Sequence, residues 1–134
     1  MSTKIFVNLP VKDLDRSKAF FGALGYTFDP QFTDENAASM VIADDIFAML
    51  LVEPFFQGFT PKQIVDATAA TEVLIGLSAE SREEVDALVD NAVAARAVNY
   101  AEPQDHGFMY QRSFQDLDGH LWEIIWMDPA TVQG

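Results

Sequence analysis

The chain has no cysteine, which excludes a disulfide framework, a thiolate metal site and a cysteine nucleophile. Basic residues are also scarce. Only 8 Lys and Arg stand against 21 Asp and Glu, a net charge of −13. Nucleic-acid binding needs a basic footprint, so this balance argues against it. No apolar run approaches the roughly 18 residues of a membrane span, and no charged leader precedes an apolar stretch at the N-terminus. The expectation is a cytoplasmic protein without a membrane or nucleic-acid partner. No Ser-His-Asp order, Gly-rich phosphate loop or dinucleotide fingerprint is present. The two histidines, His106 and His120, lie in a loop and beside a turn, where imidazoles ordinarily sit at the surface.

Core material is plentiful. In 134 residues, 49% are hydrophobic and eleven are Phe, enough for one compact domain burying about two-thirds of its unfolded surface. The acidic excess favours solubility and would draw a cationic ligand rather than an anionic one.

Ile5-Phe6-Val7-Asn8-Leu9 reads as a strand closed by Pro10. Asp13 or Asp15 can cap a helix through about Leu24, with Leu14, Ser17, Phe20, Phe21 and Leu24 on one stripe and Gly25 as its stop. Tyr26 to Phe32 reads as a strand. Ser39 to Ala43 and Ile46 to Val52 read as a hairpin about Asp44-Asp45. Thr60-Pro61-Lys62-Gln63 looks like the start of a short helix, with Pro in its first turn. The order then recurs. Val73 to Leu77 is a strand, Ser81-Arg82-Glu83-Glu84 a capping box, and Val85, Leu88, Val89, Ala92 and Val93 follow at helical spacing. Ala97 to Ala101 is a weak strand, and Met109 to Gln115 and His120 to Met127 form a last hairpin. Phe6 corresponds to Leu74 in the two opening strands, and Ser17 to Ser81 near the two helix starts. The expected fold is α+β, one domain over 1–134. It comprises a βαβββ module at 4–53, a linker with a short helix at 54–71, and a second βαβββ module at 72–128. Neither module buries both its surfaces alone, so the two are expected to pair.

The last strand carries the main functional signal. In Leu121-Trp122-Glu123-Ile124-Ile125-Trp126-Met127, alternation puts Glu123 on the face of Leu121, Ile125 and Met127. A carboxylate among such neighbours is costly to desolvate unless it is paired, protonated or metal-bound. Arg112, on the preceding strand, is the partner expected for it, either as a structural bridge or as an Arg offered to an anionic group. Phe55-Phe56-Gln57-Gly58-Phe59 places three Phe in a loop, which points to a covered cavity mouth or a contact in a homodimer. The acidic run Glu80, Glu83, Glu84, Asp86 and Asp90 reads as a solvated helix face.

Leu9-Pro10-Val11-Lys12-Asp13-Leu14-Asp15-Arg16-Ser17, with Phe20-Phe21 and Leu24-Gly25-Tyr26, and the turn-strand Asp116-Leu117-Asp118-Gly119-His120-Leu121-Trp122-Glu123 resemble the vicinal oxygen chelate superfamily. That superfamily includes glyoxalase I, fosfomycin- and bleomycin-resistance proteins and extradiol dioxygenases. The resemblance runs over essentially the whole chain and is strongest to bacterial lactoylglutathione lyase-like proteins. It implies two paired βαβββ modules and, in the metal-dependent members, one ligand on the opening and one on the closing strand of each module. Carried onto this sequence, those four slots fall on Phe6, Met49, Leu74 and Glu123. Phenyl and alkyl side chains do not coordinate a hard cation, so Glu123 is the ligand that remains. Asn8, Glu53 and Glu72 are the neighbours from which a displaced site would have to be rebuilt. The expectation is a metal-free, cofactor-free small-molecule-binding member, its cavity lined by Phe6, Asn8, Met49, Leu74, Arg112 and Glu123. The alternative is a metal-dependent lactoylglutathione lyase-like or dioxygenase-like enzyme in which Glu123 binds the metal, so whether the chain is an enzyme stays open.

Overall fold

The computed structural model describes residues 3–131. They form two compact units divided between Val65 and Asp66, within the segment expected to link the two modules. In the first unit, β1 (Ile5–Val11), α1 (Leu14–Ala23), β2 (Thr27–Asp29), β3 (Ala37–Ala43) and β4 (Ile46–Val52) are followed by the short α2 (Glu53–Gln57). In the second, β5 (Leu74–Ser78), α3 (Arg82–Ala94), β6 (Gln104–Asp105), β7 (Met109–Gln115) and β8 (Leu121–Met127) repeat the order. Each unit is a four-stranded mixed sheet with the same topology, β1-β4-β3-β2 and β5-β8-β7-β6. In both, the opening strand runs parallel to the closing strand and the other pairs are antiparallel. This is the α+β arrangement of two βαβββ modules.

The helices form where apolar stripe and cap agree. Asp13 caps α1, its side chain accepting from the Arg16 N–H, and Leu14, Ser17, Phe20 and Phe21 are buried. Gly25, at φ 104°, supplies the left-handed residue that ends the turn after α1. Ser81 caps α3 by accepting from the Glu84 N–H. The reciprocal half of the box is displaced by one residue: Glu84 Oε2 accepts from the Glu80 N–H at 2.6 Å. Val85, Val89 and Ala92 of α3 are buried in the second unit together with Phe114, Trp122 and Ile124. In the first, Leu9, Val11, Phe20, Phe21, Met40, Ala48 and Leu50 are buried.

Three elements differ from the sequence reading. The short helix is Glu53–Gln57, with Pro54 in its first turn, and no helix starts at Thr60. Gln57 Nε2 donates to the carbonyls of Thr60 and Lys62 at 2.9 and 2.7 Å, and Thr60 Oγ1 accepts from the Lys62 N–H. These bonds fold the segment as a capped loop. The second strand stops at Asp29, because Asp29 caps a 3-10 turn over Pro30–Phe32. Residues 97–101 contribute only an isolated bridge, Val98 to Gln115, and the edge strand forms later at Gln104–Asp105. There Arg82 holds Asp105 through two 2.8 Å hydrogen bonds.

The turn that introduces β8 is built around one carboxylate. Asp116 is buried and accepts from the N–H of Asp118 (2.9 Å), the N–H of His120 (3.0 Å) and the indole N–H of Trp122 (2.9 Å). Burial pushes the Asp116 carboxyl up from its ordinary range, against the opposing pull of His120 and these donors. Gly119 adopts φ 94°, and a Cβ there would lie 2.5 Å from the backbone N of Thr68. Only glycine fits this turn.

Candidate functional site

The strand registers place the candidate residues on defined rungs of each sheet. On the face of the first sheet that carries Phe6, one rung is Phe6, Phe47 and Val41, and the next is Asn8, Met49 and Ser39. On the corresponding face of the second sheet, one rung is Leu74, Leu121 and Gln115. The next rung there is Gly76, Glu123 and Ser113, and a third is Ser78, Ile125 and Gln111. The two ladders match rung for rung, putting Phe6 with Leu74, Asn8 with Gly76 and Met49 with Glu123.

In the first unit, the Phe6 and Phe47 rings stack with centroids 5.1 Å apart and planes 11° from parallel. Phe6 is 53% exposed, so this platform is accessible rather than core. Lys4 Nζ lies 5.6 Å above the Phe47 centroid and 3.2 Å from Asp45 Oδ1. Asn8 Nδ2 donates to the Phe6 carbonyl at 3.3 Å. Met49 is half-buried.

In the second unit, Glu123 is half-buried and Leu74 is exposed. Glu123 shares its face with Leu121, Ile125 and Met127, as alternation requires. Its partner, however, is Gln111, whose Nε2 donates to Glu123 Oε2 at 2.5 Å. Arg112 does not meet Glu123. It pairs with Ile124, one residue on from Glu123, so its side chain leaves the opposite face. There Arg112 Nη1 donates to Asp86 and Asp90 of α3 at 3.0 and 2.9 Å. Tyr110 donates to the same Asp86 oxygen at 2.6 Å. The Tyr110 hydroxyl, and after it Arg112, hold the Asp86 carboxyl below its ordinary range despite partial burial. Arg82, beside them, lies 5.1 Å from the ring centroids of both Tyr110 and Trp126. Asp86 and Asp90, expected on a solvated helix face, are thus members of the α3–β7 contact. Arg112 belongs to that contact and not to the candidate site.

Among the described residues, no group of three or more His, Asp or Glu is arranged to hold a metal. Two of the residues from which a displaced site would have to be rebuilt, Glu53 and Asn8, have other contacts. Glu53 begins α2 and lies 3.4 Å from Lys12. Asn8 presents its nitrogen to a backbone carbonyl. His106 lies beside Phe108 at a ring separation of 6.3 Å. A hard divalent cation needs several oxygen or imidazole donors, and the aromatic, alkyl and thioether groups at Phe6, Leu74 and Met49 do not fit one.

Two site features went unseen in the sequence, Gln111 and Gly76. The signal for Gln111 was the turn length. With Asp116 N–H bonded to the His120 carbonyl, Gln115 falls opposite Leu121 and Gln111 becomes a diagonal neighbour of Glu123, within reach of a long side chain.

Comparison with known proteins agrees with this architecture. A family model described as bleomycin resistance protein-like N-terminal matches residues 3–43. The hypothetical protein SA1046 from S. aureus is 30% identical, over 94% of this chain and 95% of that one, with a TM-score of 0.78. A glyoxalase/bleomycin resistance protein/dioxygenase family enzyme from Burkholderia phytofirmans shares the fold at 16% identity, with 94% and 99% coverage and a TM-score of 0.76. So does the fosfomycin resistance protein FosX from Listeria monocytogenes, at 21% identity, 100% and 95% coverage and a TM-score of 0.69. No curated protein matches the chain. Residues 3–43 thus match a bleomycin resistance protein-like family model, and the chain has the fold of the glyoxalase/bleomycin resistance/dioxygenase group, the vicinal oxygen chelate superfamily.

Proposed function

We propose that the chain is a metal-free small-molecule-binding member of this superfamily, acting in the cytoplasm as a homodimer. The ligand is amphipathic, with an apolar body and a hydrogen-bond-donating or cationic group. The observation that carries the reading is the chemistry of the four ligand slots. Three are Phe6, Met49 and Leu74, and the fourth, Glu123, already accepts a hydrogen bond from Gln111. Within the second unit, the accessible Leu74, at 55% exposure, suits an apolar body. A half-buried carboxylate under a net charge of −13 suits a cationic or N–H-bearing group.

Two measurements test this. Elemental analysis of protein purified without chelator or affinity-tag metal, repeated after loading with Ni, Zn, Mn or Fe(II) and desalting, is expected to find no stoichiometric metal. About one metal per chain, lost in Glu123→Gln, would restore the lyase-like or dioxygenase-like alternative. A thermal-shift panel of amphipathic cations and neutral aromatics is expected to raise Tm, since a ligand that prefers the native state stabilises it. The homodimer is proposed to use the α2 segment, where Phe55 and Phe59 pair edge to face at 5.3 Å and are 40% and 71% exposed. Light scattering of Phe59→Ser, expected to shift toward monomer, tests that part.

A further inference from the structure

Gly76 is a glycine that the fold does not require. It sits inside β5, where glycine is destabilising relative to alanine through lost backbone entropy. Its φ lies outside the left-handed region, so the conformation is open to any residue. A Cβ at Gly76 would meet only Ile125 Cδ1, at 3.6 Å, an ordinary van der Waals contact. This contrasts with Gly119, where both conformation and space demand glycine. A side chain at Gly76 would rise on the same face of the sheet as Glu123, its partner on the rung, and against Ile125.

The rung is small, acidic, small: exposed Gly76, half-buried Glu123 and buried Ser113. Larger side chains stand on the rungs to either side, Leu74 and Leu121 on one and Ile125 and Gln111 on the other. Glu123 is therefore set in a notch. Gln111 fixes one carboxylate oxygen, while Oε1 takes no hydrogen bond from any described residue. A glycine inside a strand often marks the close approach of a ligand.

We propose that Gly76 is a specificity-determining residue, its missing side chain opening a notch in which a ligand N–H or ammonium group donates to Glu123 Oε1. Gln111 is then a positioning residue that holds the carboxylate turned toward the notch. This deepens the metal-free binding reading and rests on it. The class of ligand it selects is a primary or secondary amine, or an amide N–H, attached to an apolar body. An ether or ester of the same shape would leave Glu123 facing a second acceptor.

The test is a titration of the full chain with 2-phenylethylammonium, followed by 15N–1H correlation NMR, with methyl 2-phenylethyl ether as the donor-free comparison. Wild type, Gly76→Ala, Gly76→Val and Glu123→Gln are compared. The expected result is saturable shifts centred on the amides of Gly76, Glu123 and Ser113, with the ether binding more weakly by about tenfold. Gly76→Val should weaken the ammonium probe by about tenfold or more, Gly76→Ala by less, and neither should lower Tm. Gly76→Ala keeps the test sound if the larger variant folds poorly. Wild-type affinity in both Gly76 variants, shifts centred elsewhere, or equal affinity for the ether overturns the notch. A Tm rise from other ligands in the panel would then leave the broader reading standing, whereas stoichiometric metal held by Glu123 removes both.

Discussion

Gln111 and Glu123 sit on neighbouring rungs of the β7–β8 hairpin and share a 2.5 Å hydrogen bond, amide nitrogen to carboxylate oxygen. The pair satisfies one lone pair of a carboxylate that shares its strand face with Leu121, Ile125 and Met127, without adding a positive charge that would compete with a ligand. Gln111→Ala is expected to cost about 1 kcal/mol of stability, because water can replace part of the bond at a half-buried group. Gln111→Glu would place two carboxyl groups in contact, so that one of them holds a proton well above the ordinary carboxylate range. Its stability should therefore fall as pH rises through that elevated value. Denaturant midpoints of the three proteins between pH 4 and 8 check both statements.

Gly119 is expected to be the glycine least tolerant of substitution. Gly119→Ala combines a residue at φ 94° with a Cβ 2.5–2.8 Å from the backbone of Ala67 and Thr68. Strain in the left-handed region and backbone displacement together predict a loss of about 3 kcal/mol or more. Chemical denaturation monitored by tryptophan fluorescence measures it, since Trp122 is bonded to the same turn through Asp116. A loss below that of Gly22→Ala, a site with nothing within 4 Å, would contradict the account.

Two aspartates of the second unit give opposite pH dependences. The Arg82 guanidinium, helped by the Gly107 N–H, holds the Asp105 carboxyl at about 2. A lowered folded value means that its stabilisation is complete above the ordinary carboxylate range, near 3.8, and is lost as pH falls toward about 2. Asp116 behaves in the reverse sense. Burial raises its folded value, so its contribution is complete below the ordinary range and is lost as pH rises through the raised value. Asp105→Asn should flatten the acid limb of a stability–pH curve. Asp116→Asn should remove the decline on the other side. Urea midpoints from pH 2 to 7 resolve the two.

The fold was legible wherever a local signal and burial coincide. The Leu14, Ser17, Phe20 and Phe21 stripe, the Asp13 and Ser81 caps and the Gly25 stop each act within one or two helical turns. Glu123 was legible because alternation alone assigns a strand residue to a face. Its partner was not, because choosing between Gln111 and Arg112 requires the hairpin register, and a shift of one residue reverses the face. The 97–101 segment misled for a related reason. Its apolar residues suit a strand, but pairing beyond Val98 is replaced by the later β6–β7 edge, anchored by Arg82 to Asp105. Gly76 was invisible as a functional position until its ordinary backbone angle and its place on the Glu123 rung were known.

Arg112 provides the sharpest separation between the two faces of the second sheet. Its side chain is 12% exposed, its partners Asp86 and Asp90 are 46% and 67% exposed, and its Nε is buried with no hydrogen-bond partner among the described residues. Removing a buried charge whose partners can rehydrate differs from stranding one inside. Arg112→Met keeps the apolar stem and abolishes the unpaired Nε, so it is expected to cost less than about 1 kcal/mol. Asp86→Ala leaves Arg112 with Asp90 alone and deprives the Tyr110 hydroxyl of its acceptor, which predicts a larger loss, about 2 kcal/mol. Arg112→Met should also leave affinity for 2-phenylethylammonium unchanged, because Arg112 and Glu123 lie on opposite faces of one sheet. Comparing the unfolding midpoints of the two variants, with a probe titration of Arg112→Met, tests the assignment. A loss of probe affinity in Arg112→Met would move Arg112 back into the site, where its guanidinium could only donate, so the ligand's polar group would have to be an acceptor.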